Sequence, residues 1–91
     1  MKGNNQIIEF AFYLVSGQYY EVDVLSMPSY GGRRTDEHST HRLPSNYGNE
    51  YRVCVGDATS MSSFSEARHW ASQWAEHSMQ YINFGTPFPN S

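Results

Sequence analysis

The residues best suited to chemistry in this 91-residue sequence are two histidines in an H-x-x-H spacing, His38 and His41. Such a pair can supply two zinc ligands, and Cys54, His69 or His77 would complete a set. Zinc sites normally repeat a paired spacing in their second half, and this chain has one cysteine and no C-x-x-C, so no metal or other cofactor is expected. The same segment admits a phosphodiester-cleaving centre. Glu37 or one histidine would act as base, the other histidine as acid, and Arg33, Arg34 or Arg42 would steady the phosphate transition state. The simpler reading is a solvated loop in which Asp36, Glu37, His38 and Arg42 form local ion pairs, and no catalytic residue is assigned. Cys54 would need a positive, accessible setting to serve as a nucleophile. Gly31-Gly32 is a turn without the pattern of a phosphate-binding loop.

The elements that must position these groups follow from periodicity. Residues 6–15 alternate, with Ile8, Phe10, Phe12 and Leu14 on one face, and residues 18–26 alternate likewise through Tyr20, Val22 and Val24. A three-residue loop Val15-Ser16-Gly17 pairs Phe12 with Tyr20, Phe10 with Val22 and Ile8 with Val24, and sets Glu9 opposite Asp23. Residues 50–55 form a third strand, with Tyr51, Val53 and Val55 inward. Residues 27–49 show no period and read as one long loop. Ser63-Phe64-Ser65-Glu66 has the spacing of a capping box. Behind it, Phe64, Ala67, Trp70, Ala71, Trp74, Ala75, Ser78, Tyr81 and Ile82 lie on one stripe of a helix over residues 64–83, stopped by Gly85 and Pro87. Trp70 and Trp74 read as core contacts under the sheet, and His69 and His77 as flanking helix residues. The tail, residues 84–91, is a strap or a frayed end. The expected fold is α+β: a three-stranded antiparallel sheet, connected β-β-long loop-β, packed on one C-terminal helix in a single domain.

Composition narrows the function classes. Six basic residues against nine acidic ones, net charge −3, and a single lysine argue against a grip on phosphate backbones. Seven tyrosines, five phenylalanines and two tryptophans exceed what a small core needs and suggest a contact surface. Two surfaces qualify. On the outer sheet face Glu9, Glu21 and Asp23 cluster beside Tyr13 and Tyr19, a pattern suited to docking on a basic protein surface. In the loop, Arg33, Arg34 and Arg42 make the only basic region. The lone cysteine, the polar start of the chain and the break at Glu9 point to a cytoplasmic protein without a signal peptide or membrane span. An unpaired sheet edge leaves monomer and homodimer both open.

The strands, the polar loop, and Val55-Gly56-Asp57-Ala58-Thr59 leading into Ser63-Phe64-Ser65-Glu66-Ala67 resemble the layout of several small phage-encoded proteins that disarm host defence, including some anti-CRISPR proteins. The likeness covers the last third of the chain and carries no functional residues with it. It implies a non-enzymatic inhibitor that docks on a host protein or nucleoprotein complex and blocks it. The order of elements is also similar to the second half of double-stranded-RNA-binding domains and to the three-strand-plus-helix DNA-binding domains of integrases. Those families use lysines at the helix start or arginines across the sheet, where this chain has Ser63, Ser65, Glu66 and acids. An RNA- or DNA-binding module using the loop arginines is therefore the alternative, and a small ribonuclease the third reading.

Overall fold

Two apolar-alternating segments joined by a glycine turn form a hairpin, and this hairpin organises the sheet. The structure, a computed structural model, describes residues 7–55 and 61–89. Residue 6 of the first expected strand, Gly56 to Ser60 of the lead into the helix, and residues 90–91 of the tail lie outside them. Strands β1 (Glu9–Val15) and β2 (Tyr19–Ser26) pair antiparallel; a helical turn α1 (Glu37–Thr40) and strands β3 (Arg42–Pro44) and β4 (Tyr51–Val53) follow; helix α2 spans Phe64–Phe84. The sheet has four strands in the order β1-β2-β4-β3, all antiparallel.

The fourth strand corrects the three-stranded expectation. β3 lies inside the segment read as a structureless loop, because Arg42-Leu43-Pro44 is too short to show alternation and is a strand only by pairing with β4. α1 escapes periodicity for the same reason of length. Its boundaries are nonetheless chemical: Asp36 caps its start, accepting from the Ser39 amide at 3.3 Å, and His41 closes it in the left-handed region at φ 52°.

The hairpin register also differs from the expected one. Ser16 and Gly17 both have positive φ, and the Gln18 amide donates to the Val15 carbonyl at 2.9 Å, as in a type I′ turn. Gln18 is then one residue more than a two-residue turn needs, and Tyr19 rather than Gln18 pairs with Val15. Phe12 therefore faces Val22 and Phe10 faces Val24, a slide of two residues that preserves the apolar face. Asp23 lies opposite Ala11, and Glu9 opposite Ser26, so the expected Glu9–Asp23 repulsion does not arise.

The core lies between this face and α2. Val22, Val24 and Val53 are buried against Ala67, Ala71, Trp74 and Tyr81, with Phe10, Phe12 and Tyr20 packed at the margin. Ser63 accepts from the Glu66 amide at 3.1 Å, while the Glu66 carboxylate reaches back to the Ser62 amide and hydroxyl. At the other end Gly85, with φ 73°, donates its amide to the Tyr81 carbonyl. No helix among the described residues is long and apolar enough to cross a membrane.

Candidate functional site

The left-handed turn at His41 brings the chain's histidines together. Its carbonyl accepts the Cys54 amide at 2.9 Å and the Trp74 indole N–H at 2.8 Å, tying α1 to β4's exit and to the middle of α2. Its ring stacks on Phe88 at 4.5 Å with 7° between planes, so the tail doubles back as a strap. His69, Gln73 and His77 are spaced by four along α2 and stand on one side of the helix. The result is a groove of about 320 Å³ walled by His41, Cys54, His69, Trp70, Gln73, Trp74, His77 and Phe88. His41 and Cys54 also border a second hollow with Glu37 and His38.

Burial pulls the His41 imidazole below its ordinary pKa of 6.5, and the neighbouring His38 and His77 push it the same way. It is neutral at physiological pH. The groove thus offers an aromatic wall with imidazole and amide groups at its rim, a lining suited to an apolar or aromatic guest held by a few hydrogen bonds. Of the two tryptophans, Trp74 is core, 4 % exposed, whereas Trp70 is 39 % exposed on the groove wall. The reading of both as core is corrected: Trp70 sits at the margin of a buried stripe whose centre is Ala67, Ala71, Trp74, Ser78 and Tyr81.

The H-x-x-H pair does meet the residues proposed to complete it, but as walls rather than ligands. Among the described residues no three His, Cys, Asp or Glu side chains are arranged to hold a metal ion. His38 and His41 have ring centroids 6.4 Å apart, and the His41 ring faces Phe88.

The outer sheet face is largely covered by the chain itself. The turn between β3 and β4 folds across it: Tyr47 stacks on Tyr13 at 4.1 Å, Asn46 donates to Glu21 at 3.0 Å, and Asn49 donates to the Tyr13 oxygen at 3.2 Å and to Asp23 at 2.8 Å. Ser45 donates a further bond to Asp23 at 2.5 Å. Asp23 is fully buried and so offers nothing to a partner. Glu9 remains exposed, accepting from the Ser26 hydroxyl, and Tyr19 is half-buried.

The arginines are engaged as well. The Arg42 guanidinium lies between the Tyr51 ring, 3.6 Å from its centroid, and the Tyr30 ring at 4.7 Å. Arg33 donates to the Ile82 carbonyl at the end of α2, and Arg34, 81 % exposed, pairs with Asp36 at 3.2 Å. None of the three lines either hollow bordered by His41.

The sequence reasoning missed the groove because its parts come from α1, β4, α2 and the tail. The legible signal was the His69, Gln73, His77 stripe beside Trp70; the approach of His41 and Phe88 is tertiary. Comparison with protein-family models finds no match, and neither the curated proteins nor the solved structures yield one.

Proposed function

We propose that this protein is a small non-enzymatic interaction protein that docks on a host protein or nucleoprotein complex and blocks it, in the manner of the phage-encoded inhibitors whose layout it resembles. The observation that carries this reading is Trp70, a large aromatic left in solvent at the lip of a groove walled by indole, imidazole and phenyl rings. Interface energy concentrates in such aromatic anchors and the pockets beside them. The docking surface is therefore centred on the groove. Of the outer-face and loop residues first considered, Asp23, Tyr13 and Arg42 serve the fold through the internal contacts described above.

Engagement of Arg33, Arg34 and Arg42 in internal contacts weighs against the nucleic-acid-binding alternative, which needs them free to meet phosphates. The ribonuclease reading draws on one specific feature, the hollow shared by Glu37, His38 and His41.

The test is affinity capture from host lysate with wild-type protein and Trp70→Ala in parallel. Recovery of the specific partner should fall at least about tenfold for Trp70→Ala, the scale of an interface anchor, while the melting temperature barely moves. Equal recovery by both proteins would remove the groove from the docking surface. The same preparations incubated with labelled RNA, alongside His38→Ala and His41→Ala, are expected to leave it intact. Cleavage abolished by both histidine changes would replace docking with catalysis, and tight, steeply salt-dependent binding of bare RNA would favour the alternative.

A further inference from the structure

The two edges of the sheet differ in kind. β3 is three residues long and ends on Pro44, which has no N–H to offer a neighbour. β1 runs for seven residues, Glu-Phe-Ala-Phe-Tyr-Leu-Val, without proline or lysine, and is paired on its β2 side only among the described residues. Its one charge, Glu9, stands at the first position and already accepts the Ser26 hydroxyl at 2.7 Å. The single register irregularity falls between Glu9 and Phe10, so the strand is regular from Phe10 to Val15. On β1 the devices that usually blunt an edge, a charge and a register irregularity, are confined to its first position and leave Phe10 to Val15 open. Beside the longer edge, on the helix face, Leu14 is 53 % and Phe64 48 % exposed, and Phe64 meets Phe12 edge-on at 5.1 Å.

We infer that β1 pairs antiparallel with β1 of a second copy about a two-fold axis at Phe12, joining two sheets into one of eight strands. The occupant is a second copy because the strand complements itself. Phe12 meets its own counterpart, and Phe10 faces Leu14 of the partner subunit, so the apolar row continues across the junction. On the outer face Ala11 stands opposite Tyr13 of the partner subunit, small against large. Glu9 falls opposite Val15 of the partner subunit, which keeps the two carboxylates at opposite ends, whereas a parallel pairing would set them side by side. Seven residues give a seam roughly 24 Å long at about 3.4 Å per residue, and the seam covers Leu14 and flanks Phe64 in both copies. The groove lies elsewhere, on α2, α1 and the tail, so this pairing stands or falls independently of docking.

Sedimentation equilibrium of the full chain from low-micromolar to sub-millimolar concentration is expected to show a doubling of mass. Leu14→Arg sets a cation against Phe10 of the partner subunit and should return the monomer. Leu14 is half exposed, so circular dichroism at a concentration where the wild type is monomeric should show the variant equally folded. Amide hydrogen exchange needs no variant: every second β1 amide, those pointing away from β2, should gain protection in step with the dimer fraction. A monomer at every concentration overturns the inference, and so does a dimer whose outward β1 amides stay unprotected. Protection that appears only on adding an unrelated extended peptide would also overturn it and give the edge to a foreign strand.

Discussion

The Asp23 carboxylate is sealed beneath a turn and held by two neutral donors, Ser45 and Asn49, on one oxygen, while its other oxygen has no hydrogen-bond partner among the described residues. A buried carboxylate so placed ties the β3–β4 turn to the hairpin, and losing it leaves those donors unsatisfied. Asp23→Ala is expected to cost about 1.5–3 kcal/mol in urea unfolding, the range for hydrogen bonds to a charged group. Glu21→Ala, which loses a single exposed bond from Asn46, should cost less than about 1 kcal/mol. Equal costs would show that Asp23 does not anchor the turn. Charge reversal at Asp23 therefore reports on folding, not on docking. Arg42 is its counterpart on the helix face, a cation held by two tyrosine rings. Burial raises the Tyr30 pKa, and the Arg42 charge beside it opposes that rise.

At the scale of elements, α2 rests on its two ends. The Ser62 and Ser63 hydrogen bonds hold Glu66 below its usual pKa, with the Ser62 side chain contributing most. Ser63→Ala should lower stability by about 1 kcal/mol, as for other helix N-caps. Gly85→Ala should cost about 1–2 kcal/mol, because an added Cβ is strained at φ 73° and would come within 2.9 Å of the Arg33 guanidinium. Chemical denaturation measures both, and unchanged midpoints would mean that tertiary packing alone sets the helix ends. The short elements behave differently. β3 and α1 hold their shape through β4 pairing, the Asp36 cap and the His41 carbonyl, so neither has a stability of its own to read from sequence.

Across the whole molecule, the groove couples fold to pH. The folded state holds His41 neutral to a lower pH than the unfolded chain, whose imidazole titrates near 6.5. Between 6.5 and the lower folded value the unfolded state binds more protons, so stability falls as the pH falls through that window and is unaffected by this group above it. The melting temperature is expected to drop on acidification from pH 7 toward 5, and less so in His41→Asn, since asparagine tolerates the left-handed conformation. Parallel pH profiles for the two proteins would place the dependence on other groups. Strap, helix and sheet meet at this one residue, through the Phe88 ring, the Trp74 indole and the Cys54 amide.

The amino-acid sequence by itself determined what local chemistry can encode. It set the alternation of β1 and β2, the capped helix with its glycine stop, and the apolar face, which survived a two-residue slide because side chains repeat every second residue. Tertiary structure alone decided the rest. β3 exists because β4 lies beside it, Asp23 is buried because a distant turn closes over it, and His41 meets Phe88 because α1 and the tail converge on α2. The last two join residues far apart in the chain, and β3 and β4, though close in sequence, are each three residues long, so no periodicity reveals any of these partners.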